Sequence, residues 1–322
     1  MPTSRHGALP GRITPAKMRF ASLGRRMRLH CKPLLLAGVL FTVATAVVLI
    51  GCERDALTPL RGGATKPAQA VALLTRHLHA NDLAAFARDA VPPELHKRLV
   101  AGWSEGRTRW PLTEMPFHER LPRLLLSLSA EGSEARLQDV FDRQFSGATA
   151  ELKAAAAALG LFGVQYLRNE GDYSADERRH YAQFVQAISK WGVSAPLGDA
   201  ERARRAIPQL AAAARRTGLR SESDFQAAGM ESSLRKLGPF VATVKQTLSG
   251  YGLTLDDSLG GLQAGLVEQE GDRARVRLRY ILGSTPIDTV VAVERHGNHW
   301  YLSDYLRHAE ASLQAPVTAP LQ

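Results

Sequence analysis

The sequence predicts an α+β fold, mostly helical, in which a helical body is followed by a C-terminal four-stranded antiparallel meander. Three observations carry this expectation. From residue 68 to about 250 apolar side chains recur at helical spacing. After Gly250 the period changes to two, with Ala274, Val276, Leu278 and Tyr280 alternating with Arg275, Arg277 and Arg279. Two dipeptides, Gly271-Asp272 and Gly297-Asn298, punctuate that stretch as hairpin turns.

The helices follow in order. Residues 68–80 put Val71, Leu74 and Leu78 on one face, and Asn81-Asp82 stops this helix and caps the next, which carries Leu83 and Phe86. Pro92-Pro93 starts a third with Leu95, Leu99 and Trp103, and 106–116, with Pro111 and Pro116, reads as a loop. Helices are expected near 117–130 and 134–145. Residues 148–169 form a long alanine- and leucine-rich helix with Gly163 as a weak point. Ser174-x-x-Glu177 is a capping box for the helix bearing Tyr181, Phe184, Ile188 and Trp191. Helices near 199–216 and 222–249 complete the body, with Pro208 and Pro239 expected to kink or break them.

Four antiparallel strands are expected near 263–270, 273–282, 288–296 and 299–305. Closing the first turn pairs Glu270 with Arg273, Glu268 with Arg275 and Val267 with Val276. Closing the second sets Arg295 near Trp300 and Val293 near Leu302.

The chain has 322 residues, 45% of them hydrophobic and 22% charged, ample for one medium domain or two small ones. That composition excludes collagen-like, disulfide-scaffold and wholly disordered chains. The net charge is +10, but residues 1–51 hold eight of the 41 Lys and Arg (Arg5, Arg12, Lys17, Arg19, Arg25, Arg26, Arg28, Lys32) and no acid. Removing those eight leaves 33 basic against 31 acidic residues, net +2. The remainder therefore carries no demand for a nucleic-acid footprint.

The basic residues Arg25, Arg26, Arg28 and Lys32 precede an apolar run over 34–50, the order of an export signal. At 17 residues the run is short for a comfortable membrane span. It ends Leu49-Ile50-Gly51-Cys52. This resembles the lipobox of bacterial lipoproteins: a branched apolar residue, two tolerant positions, then cysteine. The resemblance implies cleavage before Cys52 and acylation of its thiol, with Leu49, Ile50 and Gly51 as the recognition residues. Each acyl methylene buried in a bilayer contributes about 0.8 kcal/mol, so two or three chains hold a protein there. Glu53 in place of an aspartate implies outer-membrane rather than inner-membrane sorting. A signal of ordinary length counts from Met27, with Met18 the other expected start. The rival reading is an uncleaved signal anchor with Cys52 an ordinary thiol.

The expected organisation is a signal peptide over 1–51, a lipidated cysteine and tether over 52–67, a helix-rich domain over 68–313 (helices 68–250, sheet 262–306) and a flexible tail over 314–322. Cys31 and Cys52 are the two cysteines of the chain. Cleavage removes the first and lipidation uses the second, which leaves a body without disulfide, cysteine-ligated zinc or cysteine nucleophile. The short helical start, the phrase Ala80-Asn81-Asp82-Leu83 and the ending His299-Trp300-Tyr301-Leu302 together resemble NTF2-like or cystatin-like α+β proteins. The likeness covers 68–103 and 262–306 and implies that the middle 150-odd residues are a helical insertion.

No His-Glu-x-x-His, Gly-x-Ser-x-Gly, phosphate loop or dinucleotide fingerprint occurs. His77 and His79 point to different faces of a helix and share no metal. His296 and His299 flank a turn and are weak metal candidates, with His308 a distant third. Against them stands the absence of a carboxylate at ligand-like spacing. Asp172-x-Ser174-x-Asp176 lacks the glycine and glutamate of a calcium loop, and capping explains it. Arg202, Arg205 and Arg216 share one helical stripe, a candidate contact for lipid headgroups, an acidic partner or a glycan. The competing reading is a solvated helix face. Arg275, Arg277 and Arg279 read as a salt-bridged exposed face. Trp103, Trp110, Trp191 and Trp300 read as core.

The resulting expectation is a lipid-anchored periplasmic envelope protein, a non-catalytic binding or assembly factor without cofactor. Its partners are membrane lipid, through acylated Cys52, and an envelope protein or glycan. Two rivals remain. An envelope hydrolase requires titratable groups converging in a deep pocket. A small-ligand carrier requires an apolar cavity between sheet and helices.

Overall fold

The computed structural model describes residues 63–115, 118–169, 171 and 173–314. The lipobox residues Leu49, Ile50, Gly51 and the acylation site Cys52 lie outside the described residues, as does the tail from 315 onward.

The first helix, α1 (Pro67–His79), starts on proline, whose missing N–H is no loss at that position. Asn81 in the left-handed conformation, φ 58°, ends it. Asp82 then caps α2 (Leu83–Asp89), its Oδ1 accepting the Ala85 N–H at 2.9 Å. α3 (Pro93–Ser104) follows. Two short 3-10 turns, Leu112–Glu114 and His118–Arg120, lead to α4 (Leu121–Ser129). The expected helix over 117–130 is thus shorter, because Pro122 fixes its start in the first turn. α5 (Ser133–Gln144), α6 (Thr149–Asn169) and α7 (Ala175–Ser194) come next, the last carrying the capping box of Ser174 and Glu177. α8 (Ala200–Thr217) packs on α4 and α5.

The single helix expected over 222–249 is two, α9 (Glu222–Ala228) and α10 (Met230–Gly250). Gly229, at φ 74°, makes the break. The expected breaks at Pro208 and Pro239 do not occur; both prolines sit inside continuous helices. Both are exposed. The carbonyls they leave unpaired therefore face water, and the buried flanks hold the helices together. A short α11 (Leu255–Gly260) precedes the sheet.

The sheet is a meander, β1 (Gln263–Glu270), β2 (Arg273–Leu282), β3 (Thr285–His296) and β4 (His299–Leu302), in the order β1-β2-β3-β4. β3 starts three residues earlier than expected and includes Pro286. Short β4 leaves that end of β3 at an edge, where a missing N–H breaks no ladder. Glu270 faces Arg273 and Glu268 faces Arg275 as expected, but Leu266, not Val267, faces Val276. A bulge between Leu266 and Glu268 absorbs the extra residue and leaves both Leu266 and Val267 half exposed. The second hairpin has the expected register, Arg295 with Trp300 and Val293 with Leu302. The fourth strand stops at Leu302 rather than 305, and α12 (Ser303–Gln314) follows it directly. Tyr305, Leu306 and Ala309, at helical spacing, form its buried face.

Packing follows from these faces. Val276, Leu278, Tyr280, Ile287, Val291 and Leu302 point inward and are buried. α1 lies across this side of the sheet and touches all four strands. α7 runs along the edge of β3 that β4 leaves uncovered. There the Gln183 amide stands in for a strand, donating to the Asp288 carbonyl at 3.0 Å and accepting the Asp288 N–H at 3.1 Å. On the same edge the chain enters the fold. Ala64 is buried, and its carbonyl accepts the Trp300 N–H at 2.9 Å. The last residues of the expected tether are therefore part of the sheet margin. One core cluster joins helices and sheet, and a small second one gathers Phe141, Phe145, Ala203 and Ile207. Buried Lys245 of α10 pins the C-terminus of α1, donating to the Leu78 carbonyl at 3.0 Å and the His79 carbonyl at 3.2 Å while pairing with Asp256.

Candidate functional site

Titratable groups converge where α12 crosses the start of α7. Ser174 and Glu177 exchange the two capping hydrogen bonds, Glu177 N–H to Ser174 Oγ at 3.1 Å and Ser174 N–H to Glu177 Oε2 at 2.7 Å. This holds the Glu177 carboxylate, only 6% exposed, against Arg307 and His308. His308 Nδ1 lies 2.8 Å from Glu114 Oε2, and Nε2 lies 3.2 Å from Glu177 Oε1. The second contact is ionic rather than a well-aligned hydrogen bond, since Glu177 Oε1 finds no hydrogen-bond partner. Trp110 steadies Glu114 by donating to its Oε1 at 2.9 Å. Asp304 accepts from Ser174 Oγ at 3.3 Å and pairs with Arg307.

The electrostatics follow. Burial raises the Glu177 carboxyl above the ordinary carboxylate range. Burial also pulls His308 down, but the Glu114 hydrogen bond and the charges of Glu114 and Glu177 outweigh it and raise it. As an imidazolium, His308 donates its Nδ1–H to Glu114 and faces Glu177 as an ion pair. Beside this cluster, His180 Nε2 meets the Tyr280 hydroxyl at 2.9 Å, and full burial drives His180 down to about 3, so it is neutral. The enclosed space between them is about 10 Å3, walled by Glu177, His180, Tyr181, Val291, Leu302 and Asp304 among others. That is room for one water molecule. The arrangement clamps α12 onto α7, and among the described residues the space beside it holds no more than a water molecule.

The histidines expected as weak metal candidates are placed otherwise. His296 and His299 do face each other across the turn. His296 turns to Glu294, with Nε2 3.1 Å from Oε1, and the His299 ring lies against Gly63, where a Cβ would meet Cδ2 at 2.8 Å. His308 belongs to the carboxylate cluster instead. Among the described residues no three His, Cys, Asp or Glu side chains come together as a metal site. His77 joins α1 to α2 through Asp89, at 2.8 Å.

The arginine stripe divides along α8. Arg202 bonds Asp199 at 3.1 Å and the Gly250 carbonyl, tying the start of α8 to the end of α10. Arg205 lies 3.7 Å from Glu201. Arg216 has no such partner among the described residues and lines an open cleft of about 250 Å3 with Gln209, Ala212, Thr243 and Gln246. On the outer face of the sheet the arginines find mainly aspartates rather than the expected glutamates. Arg277 and Arg279 share Asp288, at 2.7 and 3.2 Å, and Arg275 reaches Asp176 at 3.2 Å.

The largest unexplained feature is α6. Its inner side seats on α7 through small residues. A Cβ on Gly160 would come within 2.5 Å of Ser189 Cβ, one on Gly163 within 2.9 Å of Val185 Cγ1, and one on Gly192 within 3.0 Å of Ala156 Cβ. Ser189 Oγ donates to the Ala156 carbonyl at 3.0 Å across this seam. The outer side is apolar and open to solvent, with Leu161 76%, Phe162 73% and Tyr166 55% exposed. Each such side chain forgoes about 1.5–3 kcal/mol of burial, so three neighbours on one face mark a contact surface rather than scatter. The composition of 148–169 held this signal, but it read only as a long alanine- and leucine-rich helix. Taken against protein-family models, curated proteins and solved structures, the chain matches none.

Proposed function

We propose that this chain is a lipid-anchored protein of the bacterial envelope, held on the outer membrane through Cys52 with its body in the periplasm. The body acts as a non-catalytic binding or assembly factor. The observation that carries the reading is the order of basic segment, apolar run and Leu49-Ile50-Gly51-Cys52. A role exercised at the surface is favoured over hydrolysis because the Glu114–His308–Glu177 cluster adjoins a space of only about 10 Å3. Among the described residues Arg216, in its open cleft, is the member of the arginine stripe without an ion-pair partner, and it is available to an anionic envelope partner.

The test is the intact mass of the N-terminal peptide from the native membrane fraction, beside a Cys52→Ala variant. The expected peptide begins at acylated Cys52, and C52A accumulates as a precursor that keeps its leader and carries no acyl chain. An unmodified Cys52 within an uncleaved leader would sink the reading.

A further inference from the structure

We propose that the outer face of α6, centred on Leu161, Phe162 and Tyr166, is the surface by which the tethered body lies on the lipid bilayer. The inference rests on the anchoring at Cys52 and adds where the body touches the membrane and in what orientation.

Four observations converge. The face is apolar over the middle of a 21-residue helix, about 31 Å long, with two aromatic side chains at its centre. That is the length and make-up of helices that lie in the plane of a bilayer interface. Its charges are Lys153 near one end and Arg168 near the other, against the single acid Glu151. Neither cation holds an ion-pair partner among the described residues, so both are free for lipid phosphates.

The chain geometry supplies the third observation. Eleven peptide steps separate Cys52 from Gly63, a reach of at most about 40 Å even when fully extended. An acylated Cys52 therefore keeps the body within that distance of the lipid. The chain also enters along β4, through the Ala64–Trp300 hydrogen bond, on the edge of the sheet that α7 covers. α6 is seated on α7, so the apolar helix is carried by the element that covers the edge where the chain enters. The fourth observation is that the fold does not use these outer side chains. Gly160, Gly163 and Ala156 make the seam with α7, while Leu161 and Phe162 point away from it.

The absence of any thiol after Cys52 makes the test direct. In the full-length protein, Phe162→Cys and, as a control on α10, Ser249→Cys each provide one free thiol for an environment-sensitive fluorophore. The purified protein is reconstituted in vesicles of phosphatidylethanolamine and phosphatidylglycerol, some carrying spin-labelled lipid. The expected result is a blue-shifted probe at 162 that spin-labelled lipid quenches, with the probe at 249 remaining water-like. Adding Leu161→Glu to Phe162→Cys should abolish the quenching.

A water-like probe at 162 on protein whose N-terminal peptide carries acyl chains overturns the membrane contact and leaves the anchor standing. If that probe is instead cross-linked to a second chain or to another envelope protein, the face serves a protein partner and the proposal fails. An unacylated Cys52, read separately from the peptide mass, overturns anchor and contact together.

Discussion

Two histidines contribute to how stability responds to acid and base, in opposite senses. His180 is neutral in the fold at about 3, well under its ordinary 6.5. The unfolded chain takes up this proton first, so the contribution is present above 6.5 and lost as pH falls toward 3. Each pH unit in that window is worth at most about 1.4 kcal/mol. His180→Phe should flatten the acid limb of a plot of urea midpoint against pH. At neutral pH it should cost about 1–3 kcal/mol, because it orphans the buried Tyr280 hydroxyl. An unchanged acid limb would remove His180 from the account. His308 works the other way. Its folded value lies above 6.5, so its contribution is complete below that pH and is lost as pH rises through the higher value. Glu177, also raised, has the same sign, beginning above its ordinary 4.5. Melting temperature should therefore decline as pH climbs past neutrality, and His308→Gln should lack that decline. These roles were not legible in the sequence. Ser174-x-x-Glu177 was readable as a cap, but its second duty depends on Glu114 and His308, 194 residues apart, and no spacing rule connects them.

At the scale of elements, helix seams and strand edges carry the specificity. Replacing Gly160 by Ala drives a methyl into Ser189, and overpacking of this kind costs about 1–3 kcal/mol. Ser189→Gly should restore most of that loss in the double variant, measured by chemical denaturation. Additive losses would show that the seam is not where the strain falls. Gln183→Ala should cost about 1–2 kcal/mol through two lost hydrogen bonds. It also bares the β3 edge, so light scattering near the midpoint should rise. Most elements were legible because burial writes its period into the chain: the Val71, Leu74, Leu78 stripe and the Ala274 to Tyr280 alternation both fold as they read. What failed was local context. Pro208 and Pro239 read as breaks, but both face solvent. Residues 299–305 read as one strand because Tyr305 follows the apolar Trp300 to Leu302 closely, but a helix begins at Ser303.

For the whole molecule, the helical body and the sheet share one core. Val244 and Leu248 of α10 belong to the same buried cluster as Leu278 and Val291 of the sheet. The chain should therefore unfold in a single thermal transition with coincident near- and far-ultraviolet dichroism. A chain cut after Gly250 into 63–250 and 251–314 should give two fragments that each lack fixed tertiary signal. Two separated transitions would instead show that the helical body is an independent unit. The division into body and meander was legible as a change of period. Their fusion was not, because the contacts that join them are far apart in sequence.

The Ala64–Trp300 hydrogen bond has a mechanical consequence. The segment leading from the tether lies beside the margin of a sheet, and three residues later becomes a helix spread over all four strands. Tension on the leading segment is met first by that single bond at the rim, which peels at low force. It is met next by α1, which must be dragged off the whole inner surface before the interior opens. Under such a pull the joint yields at its outer stitch and spares the core.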